Sequence, residues 1–349
     1  MKAYLKTIVF VISPLRGHYR LGDVLQIYPC DYANAPKSVH AQRYPCVMEY
    51  ALEVPEPNPF AADTDFKTFA PWKEHQLDRA NSLRRLLSSI TNHHFFLQDE
   101  VLKSGVWGIP KDADPDSDTD EAFRSIWVEE LYMWPEIGED MYSVRETGFS
   151  QPRHVNTPIV PTVDAEGYYH YYLDGTPKSY PDEVVFPNCA AAVLQAYEAL
   201  DEKTQRTIDA ITQLIDNGLA LVGRMKSLSF LSFVSAIEAL VTLDNTEDPE
   251  KCESCGQPKY RVTHKFINFL DTYVDGGRKV GKHRRIFSDI YKRRSEIAHT
   301  GALLLGDAHE HWEAKEMREK QFRLHKMTMQ FARLSLVNWL LTRSPIPSA

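Results

Sequence analysis

The stretch VVFPNCAAAVLQAYEALDEKTQ, residues 184–205, divides the chain, and its reading decides the fold. From here onward apolar residues recur at the three- and four-residue steps of amphipathic helices. Asn188 and Asp201 stand where short acceptor side chains cap helix N-termini. Helices are expected near 189–199, 202–222, 227–243, 263–274, 282–299 and 313–342. EDPEKCESCGQPKY (247–260) interrupts the series once, and DGGRK (275–279) breaks it again. Residues 185–349 therefore read as an all-α helical bundle with a cysteine-bearing insertion at 244–262.

Upstream the pattern is different. YLKTIVFVIS (4–13), VMEYALEVP (47–55), GVWGIP (105–110) and GYYHYYLDG (167–175) are short β candidates between proline-rich or acidic connections. One strong helix, EHQLDRANSLRRLLSSI (74–90), interrupts them, with Leu77, Ala80, Leu83, Leu87 and Ile90 on one side. The acidic run KDADPDSDTDEAF (111–123) reads as a solvated loop, because it lacks the glycine and terminal glutamate of a calcium loop. The fold class is thus α+β: a mixed or β-rich region over residues 1–184, then the helical bundle.

Composition excludes several function classes. A hydrophobic content of 43% is that of a folded soluble protein. No apolar run is expected to reach the length of a membrane helix, and TIVFVIS (7–13) lacks a small-residue cleavage site, so a cytoplasmic location is expected. Five cysteines, three of them scattered, do not make a secreted disulfide framework. A net charge of −8 disfavours a generic nucleic-acid coat. Any grip on nucleic acid must come from a local basic surface, and GGRKVGKHRRIFSDIYKRR (276–294) is the place for one.

Two charges stand out within the helical half. In SLSFLSFVSAIEALVTL (227–243) every residue is uncharged except Glu238. In DIYKRRSEIAHTG (289–301) Arg294 falls into one stripe with Phe287, Tyr291 and Ala298. A buried carboxylate or guanidinium alone carries a large desolvation penalty, so the two are expected to meet. Ser295 and His299, four residues apart, share a helix face. Arg294 and His299 differ by about 140° around the helix, an angle that the long arginine side chain bridges. Gly301 reads as a helix stop, which places His299 at a C-terminus where the macrodipole favours an imidazolium.

A guanidinium to hold phosphate and a histidine titrating near neutrality suffice to break an RNA phosphodiester without a metal. Arg284, Arg285, Lys292 and Arg293 would supply a sequence-independent grip on the backbone. The competing reading makes Arg294 and Glu238 a purely structural ion pair and the basic run a solvated face.

RSEIAH, residues 294–299, fits the Arg-x(4–6)-His motif of the HEPN superfamily. FLSFVSAIEAL (230–240) followed by IYKRRSEIAHTG (290–301) resembles its Apea-like branch, whose members occur in bacterial anti-phage defence. The likeness spans about residues 200–300 and implies a HEPN-type bundle acting as a homodimeric, metal-independent endoribonuclease, a defence effector or toxin. Two Arg/His motifs would face each other across a two-fold axis. The resemblance gives the catalytic roles to Arg294 and His299 and a polar supporting role to Ser295; Glu238, expected to meet Arg294, would orient the guanidinium. The ribose 2′-hydroxyl would attack the adjacent phosphate, with His299 as general acid/base and Arg294 stabilising the growing charge. Many family members carry asparagine, aspartate or histidine where this chain has Ser295, and some HEPN domains only bind or scaffold. A non-catalytic dimeric RNA-binding or interaction module is therefore the alternative. Residues 1–184 resemble no family, and a role in binding a trigger or inhibitor is expected of them. A metal-dependent hydrolase is disfavoured, since neither HExxH nor a paired-carboxylate motif occurs.

A structural metal is a separate matter. Cys252 and Cys255 in CESCG form the knuckle of half a zinc site. His264 is the nearest further ligand, with Cys30, Cys46, Cys189 or the same pair of a second subunit as alternatives. His93 and His94 are set aside, because no carboxylate or cysteine follows at ligand spacing.

Overall fold

A computed structural model describes residues 2–29, 44–54, 56, 66–91, 93–97, 148–149, 162–165, 168–169, 183–245, 261–276, 283–307 and 314–344. The chain forms two compact units, Met1–Val163 with Ser179–Pro187, and Asp164–Lys178 with Asn188–Ala349. The class is α+β, an antiparallel sheet in the N-terminal part and a mostly helical C-terminal region.

The first unit holds strands β1 (Lys2–Val11), β2 (Tyr19–Leu21), β3 (Leu25–Pro29), β4 (Tyr44–Glu53) and β5 (Phe95–Phe96) in the order β2-β3-β4-β1-β5. The expected strands at 4–13 and 47–55 are β1 and β4, paired antiparallel from Lys2↔Glu53 to Val11↔Tyr44. This register sets Lys6 opposite Glu49 as well as Lys2 opposite Glu53, and opposite charges across a strand pair favour it. The expected helix is α1 (Phe66–Thr91), which buries Ala80, Leu83, Leu87 and Ile90. The Tyr50 hydroxyl on β4 donates to the Gln76 carbonyl at 3.2 Å. Arg84 and Ser88 bind the carbonyl and N–H of Phe95 at 3.0 and 2.9 Å, fastening β5 to α1. A short parallel pair, β6 (Thr162–Val163) and β7 (Phe186–Pro187), completes the described strands of this unit. GVWGIP and the acidic run 111–123 lie outside the described residues.

The strand expected over GYYHYYLDG is not a strand at Tyr168 and Tyr169. The Tyr168 N–H donates to the Asp164 carbonyl at 2.9 Å in a helical turn. Both rings are buried, whereas consecutive strand residues point to opposite faces.

The helical unit contains α2 (Ala190–Glu198), α3 (Glu202–Leu221), α4 (Lys226–Asp244), α5 (Val262–Tyr273), α6 (Arg284–Thr300) and α7 (Lys315–Leu341). Each lies within two residues of its expected bounds. Asp201 caps α3 by accepting the Thr204 N–H at 3.0 Å. Asn188 does not cap α2; its side chain accepts the Ala165 N–H at 3.1 Å instead, and Cys189 occupies the cap position.

Helix α4 runs through the core, with Phe230, Phe233, Val234, Ile237 and Leu240 fully buried. By length and composition it would also suit a membrane span, contrary to the expectation that no apolar run is long enough. Here the same apolarity fills a bundle, as expected of a helix packed on several sides. Asp244 at its end accepts from Tyr273 (2.9 Å), Trp339 (3.1 Å) and Arg343 (3.2 Å), locking the ends of α4, α5 and α7 together.

Candidate functional site

Helix α6 carries the Arg/His motif along its last turns. Its inward stripe runs through Phe287, Ile290 and Ile297, all buried. Arg294 lies between the last two, while Ala298, expected on the same stripe, is exposed. Arg294 therefore sits at the rim of the core rather than inside it. Its Nη2 reaches Glu238 Oε2 on α4 at 3.1 Å, and the two side chains are 29% and 23% exposed. The expected meeting of the two charges occurs, in a place that water also reaches.

One nitrogen of the guanidinium is spent on Glu238. Nε and Nη1 have no partner among the described residues, so N–H donors remain for a phosphate oxygen. Ser295 is half-buried and His299 is exposed one turn later. Gly301 ends the helix in the left-handed conformation (φ 68°), returning its N–H to the Ile297 carbonyl at 3.2 Å. His299 thus stands in the last turn of the helix.

The basic residues do not form one track. Arg284 binds Asp271 on α5. Burial raises the Asp271 carboxyl above its ordinary value, with Arg284 opposing that shift and Asp275 adding to it. Arg293 pairs with Glu296 at 2.8 Å and donates to the Leu303 carbonyl at 2.9 Å, so it holds the loop after α6. Lys292 and Arg285 are exposed. Arg285 lies fourteen positions before His299 on the same helix, about 21 Å along the axis. It cannot share a phosphate with His299.

Cys252 and Cys255 lie outside the described residues, as does Cys30. Cys46 is buried in the sheet unit, and burial pushes its thiol far up. Cys189 is half-buried in the helical unit, where burial pushes its thiol up to about 11. His264 is exposed on α5 with Nδ1 3.1 Å from the Asn268 amide. Among the described residues no three histidine, cysteine or acidic side chains converge as metal ligands.

Two polar clusters escaped the sequence reading. Asp307 turns back onto the start of α4 and accepts the N–H groups of Lys226 and Ser227 at 2.8 and 2.5 Å. Burial opposes ionisation there, but these amide bonds prevail and hold the carboxyl below its ordinary value. On α7, buried His325 places Nε2 2.8 Å from the Ser229 hydroxyl, which lies 2.6 Å from the Gly218 carbonyl. The carbonyl only accepts, so Ser229 donates to it and Nε2–H donates to Ser229. Serines in an otherwise apolar helix were the available signal for this cluster; nothing local marked their partner nearly a hundred residues away. Comparison with protein-family models, curated proteins and solved structures finds no match to this chain.

Proposed function

We propose that the chain is a metal-independent endoribonuclease of HEPN type, cytoplasmic, and an effector of anti-phage defence or a toxin. The observation that carries this reading is the arrangement of Arg294: held by Glu238 through one nitrogen, it keeps its other donors at a water-accessible rim. His299 follows on the same helix. Arg294 would bind the phosphate and stabilise its charge in the transition state, and His299 would move the proton. Ser295 supports them from the adjacent turn, and Glu238 fixes the guanidinium. Lys292 and Arg285 contribute general attraction to the RNA backbone.

A homodimer fits the same reading. The least buried face of α4 carries Leu228, Leu231, Ser232, Ser235 and Ala239 alongside Glu238, a weakly polar strip of the kind two-fold partners cover. Light scattering tests it, and a monomer with full activity at low concentration removes the shared-site arrangement. A structural zinc at Cys252 and Cys255, with no metal in catalysis, and a trigger- or inhibitor-binding role for the N-terminal region belong to the same proposal.

The test is RNA cleavage in EDTA. Wild type should leave 2′,3′-cyclic phosphate or 3′-phosphate ends, and both His299→Ala and Arg294→Ala should lose cleavage while remaining folded. Cleavage that survives His299→Ala removes this mechanism. A non-catalytic interaction module is the second reading, favoured by the internal commitments of Arg284 and Arg293, which thin the basic surface. RNA binding or dimerisation without turnover would establish it.

A further inference from the structure

Beside the Gly301–Asp307 loop lies a cavity of about 220 Å³, smaller than the roughly 300–1,000 Å³ that enclose a whole small-molecule ligand. Its wall includes Lys226 of α4, Leu304 of the loop, and Arg318, Glu319, Phe322 and His325 of α7. The loop is held at successive residues. Arg293 binds the Leu303 carbonyl, the Leu304 N–H donates to Ser227 at 2.8 Å, and the Leu305 N–H donates to Gln321 at 2.8 Å. Asp307 is anchored on the first amides of α4. A Cβ on Gly306 would meet the far end of the Lys226 side chain, so the loop passes close over that arm. The cavity is a built feature, not a gap under a slack loop.

Its chemistry is specific. His325 is 4% exposed. With Nε2–H spent on Ser229, its Nδ1 is a bare acceptor with no partner among the described residues. Burial, aided by Lys226 and opposed by Asp307, holds the imidazole down at about 4, so it stays neutral at physiological pH. The Glu319 carboxylate is a second acceptor. Phe322 is 46% exposed, unusual for a large aromatic ring, and the Lys326 ammonium stands 4.7 Å from its centroid. Exposed aromatic rings flanked by cations are the recurring platform for single-stranded nucleic acid. Lys226 and Arg318 add positive charge at the wall.

We propose that this cavity is a nucleobase subsite for single-stranded RNA, taking an amino-bearing base against Phe322 with its donors on His325 and Glu319. The flanking phosphate lies against Lys226 and Arg318. The proposal rests on the reading of the chain as an RNA-acting protein and adds a base preference to it. Adenine, cytosine and guanine each present an amino group whose two N–H donors can serve the two acceptors; uracil offers the single N3–H between two carbonyls and leaves one acceptor unpaired. Leu304 follows His299 by five residues, so the subsite lies within about 18 Å of chain from it.

The test uses full-length His299→Ala protein and fluorescein-labelled hexanucleotides of adenosine, cytidine or uridine, read by anisotropy at fixed salt. The adenosine and cytidine hexamers should bind about tenfold more tightly than the uridine one. Glu319→Ala, which removes an acceptor, should erase that margin, and Phe322→Ala and Arg318→Ala should weaken all three; all three positions admit water, and melting curves check the fold. Free AMP should compete at concentrations where inorganic phosphate does not. Equal affinities that Phe322→Ala leaves unchanged, or equal competition by phosphate, overturn the subsite. Wild-type cleavage is scored separately. Cutting without base-dependent binding sinks the subsite and leaves the nuclease, base-dependent binding without cutting does the reverse, and the absence of both binding and cutting removes both.

Discussion

The two ends of helix α6 each carry a histidine, and they are built for different work. At the N-terminal end His283 is 8% exposed at its side chain and meets Asp275, 5% exposed, with Nδ1 2.6 Å from the carboxylate. The same carboxylate accepts the His283 backbone N–H at 3.1 Å. Phe287 and Phe331 pack against the ring. At the C-terminal end His299 is exposed and follows a guanidinium with donors to spare. A histidine whose donor is committed to a buried carboxylate staples two segments of chain. One that faces water on a helix end is free to exchange protons with a ligand. Residue type alone does not separate the two; burial and partners do.

The contrast can be broken most directly at His299. His299→Ala should lower cleavage by about 10²- to 10⁴-fold, the usual contribution of a general acid/base, while stability moves by no more than about 0.5 kcal/mol. Single-turnover cleavage beside a melting curve reads both, and a large stability loss here would erase the distinction.

The opposite profile is expected at the other end. His283→Ala leaves the buried Asp275 carboxylate without its imidazole partner and with only the backbone N–H of residue 283, which costs up to about 3–5 kcal/mol, with cleavage per folded molecule retained. Urea unfolding measures it. His283→Asn, which keeps a donor near the carboxylate, should recover part of the loss.

His325 extends the comparison to a third environment. Its folded-state value of about 4 lies below the ordinary 6.5 because burial disfavours the charged ring. As pH falls below 6.5 the unfolded chain takes up a proton that the folded chain refuses, so stability declines toward pH 4 and levels off below it. The shift corresponds to about 3 kcal/mol. His325→Gln keeps a donor for Ser229 and should flatten that acid limb in melts across pH 4–7.

The smallest effect is expected at Glu238. Both members of its ion pair are about a quarter exposed, so solvent screens their attraction and Glu238→Gln should change stability by about 1 kcal/mol or less. Cleavage should fall less than in Arg294→Ala, because a positioning group is removed and the guanidinium remains. A stability loss as large as that of His283→Ala would instead make the pair a structural one.

Much of this was legible in the chain itself. The helices of the second unit could be placed because their apolar residues repeat at the helical period, and the lone Glu238 and Arg294 pointed to each other because neither tolerates burial alone. Less legible was the depth of that contact. Periodicity extended the inward stripe of α6 from Arg294 to Ala298, but packing follows Ile290 to Ile297 and leaves Ala298 in water. The run around Tyr168 and Tyr169 misled because aromatic residues suit strands and buried helical turns alike.

Sequence by itself determined the order of the helices in the second unit, the Arg294–His299 spacing on one helix, and the stop at Gly301, since each follows from local backbone preference or from repeat period. Tertiary structure alone decided that Arg284 and Arg293 serve neighbouring carboxylates and a loop rather than a basic track. It also decided that Asp307 caps a helix some eighty residues earlier and that Ser229 selects the tautomer of His325. Those facts depend on which side chains meet across the bundle. Spacing along the chain carries no record of such meetings, because one hydrogen bond between distant helices leaves no period to read.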